Sequence, residues 1–469
     1  MRNVGHPFRG ASFRGAAVAT TIVAILAAAP ASAQINGQVS VIADAFPDID
    51  PAAGSQPVTE MRVRLFAERY ATLGPHLRIA LGGYVDGLIA DRTSTGGHGT
   101  TRDVIVRPAD LFVDFVTSRF DVRAGSARLV WGRLDEFQPT DVVNPIDLSR
   151  FLMEGRSEAR LPVGLVRGRI FLPRSTTIEG VVVPVFRRGT FDQLDEPTSP
   201  FNLTLVDGTP ERGALRDLPA PEGGALRSIP RIRDEPDFGT QSLQGGVRLT
   251  STTSRVDWAV SAYRGIRAFP ISTLTTPIVG ADPQVGPSAI PPFVIRESFS
   301  RFTMIGGDFE TVRGLWGVRG EIAAFVDDEL QSTLGARGVP GHSVSAGVGI
   351  DRRAGDYRVA GNILWSWSGV DNDDPAGQVF AGDDEVERTD LAIVLAADRA
   401  FARETRTVRL FAVYDPADAT TFARVIAAVS IRDNVWVEGS AALFTGSSLD
   451  VIGRLTHRDF AYARLKVFF

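Results

Sequence analysis

The chain has 469 residues, and its 50 Lys plus Arg against 55 Asp plus Glu give a formal net charge of −5. Hydrophobic residues make up 44% of the chain and charged residues 22%, which excludes an intrinsically disordered protein. The slightly acidic balance does not favour a nucleic-acid partner. The absence of cysteine excludes disulfides, thiolate metal sites and cysteine nucleophiles.

The N-terminal segment predicts secretion. The first fourteen residues carry no acidic side chain and three basic ones, Arg2, Arg9 and Arg14. An uncharged, mostly apolar run over 15–29 follows, and then an A-x-A sequence that ends at Ala33. The apolar run is shorter than the roughly 20 residues of a membrane-spanning helix. We therefore predict a signal peptide over 1–33 and a mature chain, 34–469, with a net charge of −8.

The mature chain alternates between apolar and polar residues, as β-strands do. In the last nine residues one face holds Ala461, Ala463, Leu465, Val467 and Phe469, and the other holds Tyr462, Arg464, Lys466 and Phe468. Eighteen segments read as strands: 35–45, 58–71, 76–90, 104–117, 119–131, 164–172, 176–187, 238–252, 254–267, 299–312, 315–327, 342–352, 355–369, 386–398, 403–415, 420–431, 434–446 and 457–469. A soluble β-sandwich shows the same alternation, but its strands average about five or six residues, fewer than most of these.

We therefore predict an all-β fold, a closed transmembrane antiparallel barrel of about 16–18 strands with an irregular segment folded inward. Aromatic residues near predicted strand ends are expected to form girdles at the two membrane interfaces. These residues are Tyr70, Trp131, Tyr263, Trp316, Tyr414 and Trp436.

The C-terminus supports this prediction through a resemblance. The chain ends in Phe469 after alternating apolar residues. In this it resembles the outer-membrane barrel proteins of Gram-negative bacteria, including porins. The resemblance implies an outer-membrane location, contact with membrane lipids, and recognition of the last strand by the outer-membrane assembly machinery. It does not indicate an oligomeric state.

A second resemblance rests on two short motifs. Trp131-Gly132 is followed by Asn144-Pro145-x-Asp147. This arrangement resembles an uncharacterised family of proteobacterial outer-membrane barrels that carry W-G and then N-P-x-D after an early strand. The resemblance implies a porin-like barrel or a barrel associated with hydrophobic compounds.

Residues 132–162 interrupt the strand pattern and are rich in charge. Their candidate lumen-lining residues are Arg133, Asp135, Glu136, Asp141, Asp147, Arg150, Glu154, Arg156, Glu158 and Arg160. A barrel this wide is not filled by wall side chains alone, so an inward loop with opposed charges would select solutes. The alternative is a solvated surface loop. The apolar residues Phe151, Leu152 and Met153 favour the lumen, and Asp147 is a candidate N-cap for a short helix there.

Four strand arginines complete the set of candidate channel-lining residues: Arg62, Arg64, Arg424 and Arg464. One interpretation is an anion-guiding ladder. The other is a genome that favours arginine codons, since Lys466 is the only lysine in the chain.

Two proline-rich stretches, 190–236 and 269–292, cannot belong to the barrel sheet because proline cannot donate to a strand ladder. We expect them to be long loops, with a lid over the barrel mouth as the alternative.

These features predict an outer-membrane channel for passive diffusion or transport of small solutes. The alternatives are a transporter or exporter component for hydrophobic compounds, a non-channel surface barrel, and a soluble periplasmic β-protein. We expect no enzyme, cofactor or metal, because the histidines lack metal-ligand spacing and no nucleophile motif is present. The five histidines are His6, His76, His98, His342 and His457.

Overall fold

The structure is a computed structural model. It describes residues 35–46, 58–94, 97–148, 152–153, 155–190, 231–275, 294–331, 338–370, 388–446, 452–456 and 458–469. The predicted signal peptide over 1–33 lies outside these residues.

Eighteen strands of the described residues form one antiparallel sheet. They are β1 (Ile35–Phe46), β2 (Val58–Leu73), β3 (Leu77–Ser94), β4 (Gly97–Val116), β5 (Phe120–Ala127), β6 (Val163–Leu172), β7 (Thr176–Val183), β9 (Gln244–Thr252), β10 (Asp257–Ile266), β13 (Arg301–Arg313), β14 (Trp316–Leu330), β15 (Val339–Ala354), β16 (Tyr357–Val370), β17 (Arg388–Phe401), β18 (Arg406–Asp415), β19 (Thr420–Arg432), β20 (Val435–Thr445) and β21 (Phe460–Phe468). Each of the eighteen predicted segments contains or overlaps one of these strands.

A smaller second sheet contains three short strands: β8 (Arg231–Asp234), β11 (Ile271–Thr275) and β12 (Val294–Ser298). Two further elements lie among the described residues: a short helix, α1 (Arg156–Ala159), and a 3-10 turn at Gly453–Leu455. In the described part of the chain, no helix combines the length and the apolar character needed to cross a bilayer.

The large sheet closes on itself. The last strand, β21, pairs with β1 in a register that places Val467 opposite Val39 and Ala463 opposite Ala43. At the end of this seam Gly37 and Phe469 donate to each other's carbonyl oxygens over 2.9 and 3.0 Å. The prediction of a closed antiparallel barrel is confirmed, and the two-layered sandwich is wrong.

The period-two pattern separates an apolar outer face from a charged inner face. On β21, Leu465 is 40% exposed on the outside, whereas Phe460 and Arg464 face the interior and are buried. The same holds around the ring, where exposed outer residues include Val63, Ile89, Val122, Val166, Val247, Val260, Ile305, Ile322, Val348, Ile363, Leu395, Leu410, Val425 and Leu443. Apolar groups therefore surround the barrel wall.

The two ends of the barrel differ. One end carries the tight turns at 74–76, 117–119, 173–175, 253–256, 314–315, 355–356, 402–405 and 433–434, and we call it the short-turn end. The other end carries the remaining connections, most of which are longer, and we call it the long-loop end. The connection between β5 and β6 starts from the long-loop end.

Three sequence predictions need correction. The predicted strand 119–131 ends at Ala127, because the amide of Asn144 donates to the Ala127 carbonyl oxygen over 3.2 Å as the chain turns inward. The proline-rich stretches were expected to be loops, but in their described parts β8 and β11 are strands that pair with β12 in the second sheet. Trp131 and Tyr263 do not belong to an interface girdle, since each is only 1% exposed and faces the interior.

Ring closure makes a sharp prediction for β1, which pairs on both sides. Val41→Pro removes a ladder donor from a strand with two neighbours, so we expect the barrel not to close. The measurement is gel migration before and after boiling, which differs for a folded barrel.

Ser118→Pro is the matched control, because Ser118 occupies the second position of the turn in which Phe120 N–H donates to Thr117 Oγ1. Equal loss of the folded form in both variants would contradict the prediction.

Candidate functional site

The candidate site is a segment folded into the ring, formed by the described parts of residues 128–162, which we call the inner segment. The Glu158 carboxylate lies 3.5 Å from the guanidinium of Arg64 on β2. The Arg133 guanidinium lies 2.8 Å from the carboxylate of Asp308 on β13. Strands β2 and β13 are eight positions apart in a ring of eighteen, so the inner segment crosses the barrel interior.

Trp131 packs the beginning of the inner segment against the wall. Its indole N–H donates to Glu179 Oε1 on β7 over 2.8 Å. Its ring meets the edge of Tyr263 on β10 with centroids 5.9 Å apart, and the Arg248 guanidinium lies 5.9 Å from the indole. The buried indole thus has both a hydrogen-bond acceptor and aromatic packing, as a buried tryptophan needs.

Glu321 on β14 binds the backbone next to Trp131. Its carboxylate accepts hydrogen bonds from the N–H groups of Arg133, of Leu134 over 2.5 Å and of Thr140 over 3.4 Å, and from the Thr140 hydroxyl over 3.1 Å. Gly132 makes this approach possible, with φ of +94° and a hydrogen where a Cβ would lie 2.7 Å from both carboxylate oxygens. Glycine is therefore required after Trp131 because the backbone has a positive φ and a side chain would collide with the Glu321 carboxylate.

Charged residues after Gly132 form ion pairs with the wall near the short-turn end. The pairs are Arg133 with Asp308 (2.8 Å) and Glu310 (3.2 Å), Asp135 with Arg319 (2.7 Å) and Arg358 (3.0 Å), and Glu136 with Arg409 (2.6 Å). The side chains of Asp135, Arg358 and Arg409 are 32% to 38% exposed. A cavity of about 520 Å³, partly lined by Arg358, Asp398 and Arg409, lies beside them.

Asn144 holds the two ends of the inner segment together. Its Oδ1 accepts the Leu129 N–H over 2.7 Å, and its Nδ2 donates to the carbonyl oxygens of Ala127 and Leu161 over 3.2 and 2.8 Å. The side chain is buried, so each of these bonds replaces one lost to water. Asn144 thereby satisfies the hydrogen bonding of backbone groups near the end of β5 and the start of β6.

Asp147 of the N-P-x-D motif and the charged residues Asp141 and Arg160 also stabilise the inner segment. The Asp147 carboxylate lies 2.6 Å from Arg107 on β4, and the Asp147 N–H donates to the Ala159 carbonyl oxygen over 2.8 Å. Asp141 and Arg160 form a buried ion pair within the inner segment. Buried charges of this kind persist because each is paired.

Two apolar clusters fix the inner segment to different walls. Leu129, Trp131 and Val143 pack with side chains of β3 to β7, β10, β13 and β14. Met153 belongs to a second cluster with side chains of β1 and β17 to β21, and Leu152 packs against that cluster. The apolar residues near 152 thus have the partners that their sequence required.

The four strand arginines differ in their partners. Arg62 donates to Glu60 over 2.7 Å, Arg64 donates to Asp86 over 2.7 Å, and Arg464 lies 3.8 Å from Glu438. Arg424 is held by neutral oxygens. Its guanidinium donates to the carbonyl oxygens of Leu152 and Met153, to Ser440 Oγ and to Tyr462 Oη, over 2.9, 2.6, 3.0 and 2.6 Å.

Outside the ring strands, the Arg187 guanidinium donates to the Pro162 carbonyl oxygen, where the inner segment joins β6. Burial lowers the pKa of Arg187 from its ordinary value, and the nearby charge of Arg107 adds to this effect.

Seven of the charged residues predicted in this region lie in the inner segment with the partners described above: Arg133, Asp135, Glu136, Asp141, Asp147, Glu158 and Arg160. Arg150, Glu154 and Phe151 lie outside the described residues, and so does the side chain of Arg156 on α1. Sequence reasoning missed Glu321 and the wall arginines at 319, 358 and 409, and it named Asn144 within a motif without predicting its role. Inward position on an alternating strand was the available signal for Glu321, and the N-P-x-D motif for Asn144.

A family relationship is established by comparison. The sequence model of a family described as "Protein of unknown function (DUF1302)" matches residues 90–400, about two thirds of the chain. The chain belongs to this family. The matched range includes the W-G and N-P-x-D motifs. None of the curated proteins matches the chain significantly.

Several solved structures align with most of the chain at low sequence identity. OccK7 (OpdD) of Pseudomonas aeruginosa is 9% identical with a TM-score of 0.48, covering 94% of this chain and 99% of that one. OccAB3 of Acinetobacter baumannii is 8% identical with a TM-score of 0.48 and covers 94% and 100%. A BenF-like porin from Pseudomonas fluorescens Pf-5 is 11% identical with a TM-score of 0.47 and covers 94% and 98%. The closed ring described here rests on its own strand pairings.

The contact between Gly132 and Glu321 predicts a position-specific effect. Gly132→Ala introduces a Cβ against a carboxylate and forces a positive φ on alanine. Gly155→Ala forces a similar φ of +85° with no atom within 4 Å of the new Cβ. We expect Gly155→Ala to cost about 1–2 kcal/mol and Gly132→Ala about 1–3 kcal/mol more.

The measurement is the free energy of unfolding in denaturant of protein folded into lipid vesicles. Equal losses in the two variants would show that Glu321 does not constrain position 132.

Proposed function

We propose that this protein is an outer-membrane channel through which small polar solutes pass along the charged barrel interior. The observation that carries the proposal is a closed ring with an apolar outside and with ion pairs inside that are about one-third exposed. A wall of this kind matches lipid on one side and water on the other.

The outer face supports membrane insertion. Val166, Ile305, Ile322 and Val348 are between 48% and 60% exposed, and comparable side chains occur on strands around the whole ring. Soluble monomers rarely expose continuous apolar surfaces of this extent. Closure also gives every ring strand a hydrogen-bonded neighbour on both sides, as a sheet in hydrocarbon requires.

The orientation follows from the two ends of the barrel. Short turns face the periplasm and long loops face the outside in bacterial barrels of this type. Phe469 lies at the short-turn end beside Gly37, where the final strand would be available to the assembly machinery. Outer-membrane lipids and that machinery are accordingly the partners that we propose.

The interior favours polar solutes over hydrophobic ones. Met153 is 3% exposed, because it packs against the wall cluster instead of lining water. The side chains that meet water beside the inner segment are charged, as Asp135 and Arg409 show. Opposed carboxylates and guanidinium groups across a narrowed lumen create a transverse field that acts on charged and dipolar solutes.

The direct test is conductance in planar lipid bilayers. We expect purified, folded protein to produce stepwise current increases in potassium chloride. A barrel that shows heat-modifiable migration and inserts into vesicles but stays electrically silent would contradict the proposal.

Charge in the lumen predicts ion selectivity. Asp135→Asn with Glu136→Gln removes two negative charges and leaves the wall arginines at 319, 358 and 409 without these partners. We expect the reversal potential in a salt gradient to shift towards anion preference. The control is Asp415→Asn with Asp418→Asn, the same charge change at the long-loop end of the barrel. A shift of equal size in the control would show that Asp135 and Glu136 do not determine the ion selectivity.

A further inference from the structure

Arg424 differs from the other three strand arginines in having no carboxylate as its direct partner. Among the described residues, no Asp or Glu oxygen lies within 4 Å of its guanidinium. Its donors go to the backbone carbonyl oxygens of Leu152 and Met153, the Ser440 hydroxyl and the Tyr462 phenol. The guanidinium is half-buried and its direct partners are neutral oxygens, so no carboxylate touches its positive charge.

Hydrogen bonds and ion pairs connect Arg424 to Glu438 and to two further cations, and the buried Asp44 on β1 lies opposite Tyr462. The Tyr462 hydroxyl, which accepts from Arg424, donates to Glu438 over 2.7 Å. Glu438 also lies 3.0 Å from Lys466 and 3.8 Å from Arg464. This group therefore contains three cations and one carboxylate, on the adjacent strands β19, β20 and β21.

Two of the acceptors belong to the inner segment. Arg424 binds the carbonyl oxygens of Leu152 and Met153 over 2.9 and 2.6 Å, and the Met153 side chain packs into the cluster beside them. A carboxylate would bind the same guanidinium through two parallel hydrogen bonds and would add the attraction of opposite charges, which a carbonyl oxygen does not supply. An anion and the inner segment would therefore compete for Arg424.

We propose that Arg424 binds the anionic end of a small carboxylate-bearing solute, and that this binding releases Leu152 and Met153 from β19. The proposal rests on the proposed function, since it places the site in the solute path. The contact of Glu321 with the backbone of Arg133 and Leu134 lies on another wall and is retained. Solute binding then moves one part of the inner segment while the other stays fixed.

Thiol labelling tests the release directly, because the chain contains no cysteine. Met153→Cys reports on the contact that is released, and Val143→Cys, buried in the retained cluster, is the matched control. Sodium propionate is the carboxylate probe, and propionamide is its uncharged counterpart. We expect propionate to accelerate maleimide labelling at position 153 by about tenfold, the change in equilibrium that one charge-assisted hydrogen bond provides. Propionamide should have no effect, and position 143 should stay protected.

Arg424→Gln in the Met153→Cys background identifies the group that responds. We expect fast labelling without propionate and no further response to it, because the guanidinium that holds the inner segment is gone. Arg62→Gln is the control, since Arg62 is paired with Glu60. Equal effects of propionate and propionamide, or a full propionate response in Arg424→Gln, would overturn the proposal. Leu152→Cys replaces Met153→Cys if the latter does not give heat-modifiable, folded protein.

Conductance measured on the same preparations separates the two proposals. If the channel conducts but labelling at position 153 does not respond to propionate, the Arg424 proposal is refuted and the channel proposal stands. If the barrel does not conduct but labelling responds to propionate and the response depends on Arg424, the channel proposal is refuted and the binding site stands.

Discussion

The structure depends on the pairing of β21 with β1, which joins the last strand to the first. Because that pairing closes the ring, every strand has a neighbour on both sides and alternate side chains are sorted into two environments. Leu465 and Arg464 are adjacent in the chain, yet one contributes to an apolar outer surface and the other to the ion pairs of the interior. Without closure neither surface would be continuous.

A ring of eighteen strands leaves an interior that wall side chains cannot fill, and the inner segment occupies part of it. Two of its attachments to the wall differ in kind. Near Gly132 it is fixed by backbone bonds to the Glu321 carboxylate, at a position where a Cβ would lie against that carboxylate. Near Met153 it is held by apolar packing and by bonds from Arg424 to carbonyl oxygens. The second attachment involves no carboxylate and is therefore the one open to competition by an anion.

The strands could be predicted from sequence because alternation is local, and it persists through all eighteen segments. The contacts of the inner segment could not, because Arg133 and Glu321 are 188 residues apart and meet only after the ring has closed. Position near a strand end also failed to distinguish Trp131 and Tyr263, which face inward, from Trp316, which is 43% exposed. The direction of such a side chain depends on where the ladder stops, and Asn144 sets that point for β5.

The residues that position the inner segment differ from the residues that would select solutes. Trp131, Gly132 and Asn144 are occupied with Glu179, Glu321 and backbone groups, and Asp147 with Arg107. These contacts position the inner segment. Asp135, Glu136 and the arginines opposite them are the groups that meet water. Substitution of these water-facing residues would therefore change the field that a solute meets while the backbone that carries it stays in place. The motif residues therefore determine how the inner segment narrows the lumen, and the charged residues beside them determine the electric field that a passing solute meets.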